Sequence, residues 1–408
     1  MRIKDVKVVL LTGPSTNDPF FRQARKIRSA AFIEVLTDDG LVGLGETYAG
    51  YFCPEVVPSV VDFFTPILIG QTVDDGEDIG ELWERMYQCG NFWCRVGLGL
   101  IVLNGIEAAL WDLLGKAQNK PVVQLLGGTK YERLPCYATG GPSNGPVDRL
   151  ASKIEHYLSL GFGAVKLGAG WLGADGNYEL PSSPQAAAEL EGNKTAFIRE
   201  RFGNELGLYF DGHMGNSPGR AWQLDTAKAV MDTVQPFKVG FYEEPLHYLD
   251  VTGYSELCRT SDVPIAAGEC LTGMSEWQGF IEHNCCDIGQ PDASFTGGLK
   301  EFFKVAEMLA KRGRQIATHA WGAGGSLMQN IHCGFAASNT CILEVPPDFG
   351  PMHSEIIGDS FRMENGFVLP PQSPGLGIRL TDEMKQRFAF VRGTGEFNSV
   401  PGKILTSD

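Results

Sequence analysis

Short apolar runs alternate with amphipathic stretches from about Leu134 onward, and this alternation is the strongest structural signal in the chain. Each run is short enough to be a buried strand, and the stretches between them, such as VDRLASKIEHYLSLGF, have helical spacing of apolar residues. Eight strands separated by helices predict a parallel (β/α)8 barrel of the TIM type, an α/β fold. The eight runs are PCYATG, AVKLG, GLYFDGH, VGFYEEP, PIAAGEC, CDIGQPDAS, QIATHAW and CILEVPP.

The first part of the chain follows a different pattern. Alternating runs over residues 2–12 and 29–37, and a third run after the Asp39-Gly40 turn, predict three strands. Residues 55–116 then have helical periodicity. Strands followed by helices indicate an α+β unit.

These patterns predict two domains. Residues 1–127 are assigned to an N-terminal α+β capping domain, and residues 128–357 are assigned to the barrel. The last residues, 358–408, return to strand and loop, and we expect them to pack back onto the capping domain and complete it.

The composition of the chain limits the kinds of partner and environment that we expect for it. The chain of 408 residues carries a net charge of −15 and has no basic run, which argues against nucleic acid. It has no long continuous apolar stretch and no recognisable signal segment, so we expect no membrane span. The ten cysteines are scattered without a CxxC pair, as is typical of reduced thiols in the cytoplasm.

Acidic residues end three consecutive predicted strands: Asp211, Glu243 and Glu269. The carboxyl ends of barrel strands meet at one rim, so these carboxylates should converge and repel one another without a cation. Carboxylate oxygens suit Mg²⁺, and the three residues therefore predict a metal site. The alternative is salt bridges to lysines of neighbouring strands, but only Lys166 lies at a strand end.

Histidines lie beside this predicted site. Asp292 and His319 end strands six and seven, and a carboxylate on one imidazole nitrogen would raise the basicity of the other. His213 lies two residues after Asp211, and strand alternation would place both on one face. We interpret His213 and His319 as acid/base groups, with passive polar or core histidines as the alternative.

Candidate substrate contacts come from both domains. Lys166 and Glu344 end strands two and eight, where they could bind a substrate carboxylate or pair with each other. The capping loops Gly13–Arg28 and Thr47–Pro54 are the expected lid. They offer polar side chains, although surface solvation accounts for the arginines equally well: Arg22, Arg25, Tyr48 and Tyr51.

The chain resembles the mandelate racemase-like subgroup of the enolase superfamily over nearly its whole length. The motifs that carry the resemblance are ALWDLLGKAQNKPVVQLLGG, FYEEP, GEC, the QPDAS and ATHAW pair, and PGLGI. The resemblance implies that Asp211, Glu243 and Glu269 hold Mg²⁺, and that His319 with Asp292 is an acid/base catalyst. It also implies a homo-oligomer and a substrate carboxylate near Glu344.

One position departs from the subgroup. Many relatives carry Lys-x-Lys on the second barrel strand, but the second position here is Gly168. His213 is the natural replacement for the missing lysine base, as in sugar-acid dehydratases of the group. We therefore expect a Mg²⁺-dependent dehydratase of an aldonate or aldarate. It would remove the proton α to the carboxylate, expel the β-hydroxyl and yield a 2-keto-3-deoxy acid.

Other functions remain open. A racemase or epimerase of a 2-hydroxy acid would use the same enediolate but return the proton. A metal-dependent hydrolase would be expected to have a His-x-His pair, which is absent. A non-catalytic binding protein would be expected to have lost charges from the rim, and this chain keeps them.

Overall fold

The computed structural model describes residues 1–21, 26–173, 175–215 and 219–394, apart from the side chain of Pro142. Arg22 and Arg25 lie outside the described residues. The chain begins with an antiparallel sheet of three strands, as predicted. These strands are β1 (Ile3–Pro14), β2 (Ile27–Thr37) and β3 (Val42–Thr47).

Helices complete the capping domain. The region predicted as helical is divided, because Asp75 caps a new helix by accepting from the N–H groups of Glu77 and Asp78, and Gly97 turns the chain with φ of 70°. The helices are α1 (Ala49–Phe52), α2 (Val57–Leu68), α3 (Gly76–Cys94), α4 (Leu98–Gln118) and α5 (Val122–Leu125).

Helix α4 lies directly on strand β3. Gly43 and Gly45 make this approach possible, because a Cβ atom at either position would lie 2.1 Å from a carbonyl oxygen of α4. By length and composition α4 is the one helix in the described ranges that could cross a membrane, but 89% of its apolar window is buried within the protein. It is a core helix of the capping domain.

Within the described residues, eight parallel strands close into a barrel, with the first pairing with both the second and the eighth. All eight predicted strands are confirmed, and one short extra strand, β6, pairs antiparallel with β5. The strands are β4 (Leu134–Asn144), β5 (Ala164–Leu172), β6 (Tyr178–Glu179), β7 (Gly207–Asp211), β8 (Tyr242–Glu243), β9 (Ile265–Ala267), β10 (Ile288–Gly289), β11 (Gln315–Thr318) and β12 (Thr340–Val345).

Helices surround the barrel, and an apolar cluster fills its interior. The cluster includes Tyr137, Phe241 and Ile342, two residues before Thr139, Glu243 and Glu344 in their strands. Since side chains alternate along a strand, this cluster forms the floor beneath the rim residues. The helices are α6 (Val147–Ser159), α7 (Pro184–Phe202), α8 (Leu224–Val234), α9 (Val251–Thr260), α10 (Gly273–Glu282), α11 (Leu299–Ala310) and α12 (Gly325–Ala336).

The C-terminal segment contacts both domains, which differs in part from the prediction for residues 358–408. Strand β14 pairs with barrel strand β4, so this portion extends the barrel sheet. Later residues do reach the capping domain, where Thr12 donates to the carbonyl of Phe388. The elements are α13 (Pro351–Ile357), β13 (Met363–Glu364), β14 (Phe367–Val368) and α14 (Asp382–Arg387).

Candidate active site

The three predicted metal ligands meet at the carboxyl end of the barrel. Asp211 and Glu243 are the last residues of β7 and β8, and Glu269 follows β9 by two residues. One oxygen from each side chain lies within 4.8 Å of the others. Asp211 and Glu243 are fully buried, while Glu269 is half-buried. Three short parallel neighbours therefore bring the three charges together, as their positions in the sequence predict.

Lys166 lies among the carboxylates. Its Nζ is 2.7 Å from Glu243 Oε2, 3.2 Å from Asp211 Oδ2 and 3.3 Å from Glu344 Oε1. Burial acts to lower the pKa of this lysine, but the carboxylates outweigh burial and raise the pKa well above its ordinary value. The alternative prediction, that a lysine forms salt bridges to these carboxylates, is therefore correct in part. A single ammonium cannot pair with every carboxylate of the cluster, because Glu269 is not among its contacts.

The oxygens around Lys166 fit a divalent cation. Glu243 Oε1 is buried and has no hydrogen-bond partner among the described residues. Burial, and then the Asp211 charge, raise the pKa of Glu243 well above its ordinary value. A buried carboxylate oxygen without a partner is costly, and hard oxygen donors are the ligands that Mg²⁺ prefers. Asp211, Glu243 and Glu269 could hold such an ion.

His213 lies beside Asp211, although the predicted reason for this is wrong. Strand β7 ends at Asp211, and His213 adopts the left-handed conformation with φ of 50° instead of continuing the strand. Its N–H donates to Asp211 Oδ1 at 2.8 Å, and its Nδ1 lies 3.0 Å from Oδ2. The imidazole is 60% exposed, so it can meet a ligand at the rim.

His319 and Asp292 form the predicted pair. His319 Nδ1 lies 2.8 Å from Asp292 Oδ2, and its Nε2 lies 3.5 Å from Glu269 Oε2. Burial acts to lower the pKa of His319, but the Glu269 charge and the Asp292 hydrogen bond raise it to about 10. Because Asp292 accepts at Nδ1, Nε2 is the nitrogen left to face the site.

Asp292 is itself held tightly. It is fully buried, and its Oδ1 accepts from the Ser294 hydroxyl at 2.6 Å and from Asn330 Nδ2 at 2.8 Å. Ser294 also donates its backbone N–H to the same oxygen at 2.7 Å. A carboxylate with these donors keeps its orientation toward His319.

The predicted substrate contacts lie at different places. Glu344 borders the cluster, and its Oε2 accepts from the N–H of Ala320 at 3.1 Å. Tyr48 reaches the site from the capping domain, with its ring centroid 5.8 Å from that of His319. At Gly168, the carbonyl oxygen accepts from Ser143 and Lys194, so this position contributes backbone only. Arg22 lies outside the described residues.

One functional candidate, Glu46, was not predicted from the sequence, and it lies behind the His319 loop. This residue of β3 is 2% exposed and accepts from the N–H groups of Ala323 and Ser326. The available signal was a charged residue inside the apolar strand LVGLGE. A buried carboxylate there requires donors, but its position in the strand does not say which donors.

Two family descriptions cover most of the chain. Residues 7–127 match the mandelate racemase / muconate lactonizing enzyme N-terminal domain. Residues 149–384 match the enolase C-terminal domain-like family.

Individual relatives match over nearly their full length. The chain is 27% identical to arabinonate dehydratase of Saccharolobus solfataricus, over 95% of this chain and 99% of the relative. It is 30% identical to D-galactonate dehydratase of Klebsiella pneumoniae, over 86% and 89%. The crystal structure of the 3,6-anhydro-D-galactonate cycloisomerase from Zobellia galactanivorans superposes with a TM-score of 0.79 at 26% identity, covering 95% of this chain and 99% of that one.

Proposed function

Because the chain belongs to the mandelate racemase / muconate lactonizing enzyme group of the enolase superfamily, we propose that it is a Mg²⁺-dependent dehydratase of a sugar acid, an aldonate or aldarate. Two dehydratases of such acids are similar to it over most of its length, which supports a hydro-lyase. The observation that carries the proposal is the pair of histidines flanking the carboxylate cluster, His213 beside Asp211 and His319 beside Glu269.

The proposed reaction begins with removal of the proton α to the substrate carboxylate. This proton is weakly acidic, so the negative charge that develops on the carboxylate oxygens must be stabilised. A bound Mg²⁺ would supply most of that stabilisation as a Lewis acid. Lys166 is buried and protonated at the same place, so its ammonium can contact an oxygen of the substrate carboxylate.

The two histidines are assigned the proton transfers. One takes the α-proton, and the other protonates the β-hydroxyl as it leaves, so the enol that forms converts to a 2-keto-3-deoxy acid. No lysine base is available two residues after Lys166, since that position is Gly168. Each histidine is paired with an aspartate, but His213 is exposed at the rim and His319 is largely buried, so the two groups differ in exposure to solvent.

A substrate library tests the proposal. The protein is incubated with Mg²⁺ and a panel of aldonates and aldarates, and 2-keto acids are detected. Dehydration of at least one sugar acid is the expected result. Deuterium exchange at the α-carbon without formation of a 2-keto acid would instead indicate the racemase or epimerase. If neither reaction occurs across the panel, the proposal is wrong.

A further inference from the structure

We propose that Glu46, on strand β3 of the capping domain, is a positioning residue for the His319–Asp292 pair. It would act through the loop before α12 and through α12 itself. The inference rests on the proposed function only in giving His319 an acid/base role. Glu46 touches none of the predicted metal ligands in the contacts of the described residues, so its effect is on orientation.

The first link joins the capping domain to helix α12. Glu46 Oε1 accepts from the N–H of Ala323, and Oε2 accepts from the N–H of Ser326, each at 2.7 Å. Gln329 of the same helix donates to the backbone carbonyl of Glu46 at 3.1 Å. A carboxylate at a helix N-terminus bonds free N–H groups and interacts favourably with the helix dipole. Glu46 therefore holds the N-terminal end of α12 against the capping domain.

The second link joins α12 to Asp292. The Ser326 hydroxyl lies 2.7 Å from the Ser294 hydroxyl, which bonds Asp292 Oδ1 at 2.6 Å. One helical turn later, Asn330 donates to the same oxygen at 2.8 Å. Two side chains of α12 thus connect to the Asp292 carboxylate that orients His319. Asn330 bonds it directly, and Ser326 reaches it through the Ser294 hydroxyl. A shift of the helix N-terminus would move both contacts together.

The third link is the chain itself. Only three residues separate His319 from Ala323, so the loop is held at Asp292 at one end and at Glu46 at the other. Arg28 of the capping domain also donates to the Gly322 carbonyl at 2.8 Å, and its guanidinium lies 3.8 Å from the Trp321 ring centroid. Such a short loop has little freedom to absorb a displacement of either end.

Burying the Glu46 carboxylate costs free energy, and this cost argues against a passive role for the residue. Burial raises its pKa to about 7, although the two N–H donors act in the opposite direction. A glutamine at this position would aim its NH₂ group at one of the two N–H donors. Replacement would therefore disturb the geometry without removing much volume.

The first experiment needs no turnover. An Nδ1–H hydrogen-bonded to a carboxylate gives a downfield proton signal that exchanges slowly, and His319→Asn identifies that signal in protein labelled at histidine. In Glu46→Gln we expect the signal to move upfield or disappear through exchange. The matched control is Glu34→Gln, which removes another capping carboxylate, one paired with Lys385 at 2.6 Å. An unchanged His319 signal in Glu46→Gln would overturn the inference.

A second variant tests the same inference if Glu46→Gln does not fold. Ser326→Ala removes only the hydroxyl that joins α12 to Ser294 and leaves the backbone bond to Glu46 in place. Because a well-positioned acid or base contributes about 10²–10⁴-fold to the rate, we expect its misplacement in either variant to lower kcat by about tenfold or more, with KM nearly unchanged. A rise in KM at constant kcat would contradict a positioning role.

The double variant tests whether the two residues act along one path. If they do, Glu46→Gln and Ser326→Ala together should lower kcat by less than the product of the single effects. Fully multiplicative effects would contradict a shared path. If no sugar acid is turned over but the His319 signal still responds to Glu46→Gln, the proposed function fails and the structural link stands.

Discussion

At the scale of single residues, the site is a group of carboxylates held around one lysine. Lys166 contacts three of them and cannot balance the charge of all. A divalent cation held beside this buried ammonium would offset the remaining charge of the acidic side chains in the barrel. The two histidines lie at the two ends of this group, where each contacts a different carboxylate.

Replacing His319 should impair proton transfer and leave metal binding largely intact. His319→Asn should lower turnover by about 10²–10⁴-fold, because a positioned acid or base contributes that much. Mg²⁺ affinity, measured by titration calorimetry, should change only a few-fold. His283→Asn, at an exposed histidine after α10, is the control and should be fully active. Unchanged turnover in His319→Asn would contradict the assigned role.

Replacing Glu243 removes a ligand charge. Glu243→Gln should weaken Mg²⁺ binding by more than about 100-fold, since even outer partners of a metal contribute 10–100-fold. At a Mg²⁺ concentration 100 times Kd, the wild-type protein should gain about 2.7 kcal/mol of unfolding free energy. The variant should gain almost none under the same conditions. Equal stabilisation of both proteins by Mg²⁺ would mean that the ion binds elsewhere.

At the scale of elements, close packing joins the two domains. Strand β3 lies against α4 on one side and carries Glu46 toward α12 on the other. All of α12 is buried, so this helix is enclosed by the barrel and the capping domain.

Strand β3 should not tolerate a side chain where it meets α4. A Cβ atom at Gly43 would lie 2.1 Å from the Ala109 carbonyl and 2.7 Å from Leu113 Cβ. Gly43→Ala should therefore destabilise the protein by about 3 kcal/mol in urea unfolding. Gly80→Ala is the matched control, because its Cβ would meet nothing within 4 Å in α3. The control should stabilise the protein by about 0.5–1 kcal/mol.

A histidine of helix α12 should also make the stability of the folded protein depend on pH. Nδ1 of His332 accepts from the N–H of Val123 at 2.9 Å, and burial lowers the pKa of His332 from 6.5 to about 4. The folded protein therefore holds this histidine neutral, and the stabilisation present above pH 6.5 is lost as the pH falls toward 4. The loss should reach about 3 kcal/mol from this group.

His332→Asn tests that dependence, because asparagine Oδ1 can replace Nδ1 as an acceptor but does not titrate. Unfolding free energy measured from pH 7.5 to pH 4 should fall less steeply in the variant. The comparison is of slopes, so a uniform loss of stability from the smaller side chain does not obscure it. Parallel curves for the two proteins would show that His332 does not titrate in this range.

At the scale of the whole molecule, the capping domain closes the barrel and presents an apolar surface. Phe92 is 90% exposed and adjoins Trp93, whose ring centroid lies 5.1 Å from that of Phe63. An exposed group of aromatic side chains often marks a protein contact. We propose that this surface joins copies of the chain in the homo-oligomer that the resemblance implies.

Light scattering tests the homo-oligomer. The wild-type protein should have a mass several times that of one chain, and Phe92→Ser with Trp93→Ser should lower it. Val391→Ser changes another exposed apolar side chain and should leave the mass unaltered. A single-chain mass for the wild-type protein would contradict the proposal. An oligomer unaffected by the double change would place the contact elsewhere.

Local patterns in the sequence determined the barrel strands and the convergence of Asp211, Glu243 and Glu269. Strand periodicity is a local property, and parallel strands leave little choice about where their ends lie. Only the tertiary structure decided that Lys166 lies among the carboxylates, that His213 leaves the strand, and that Glu46 reaches α12. These contacts depend on how chain segments distant in sequence pack together, and no periodic pattern records such packing.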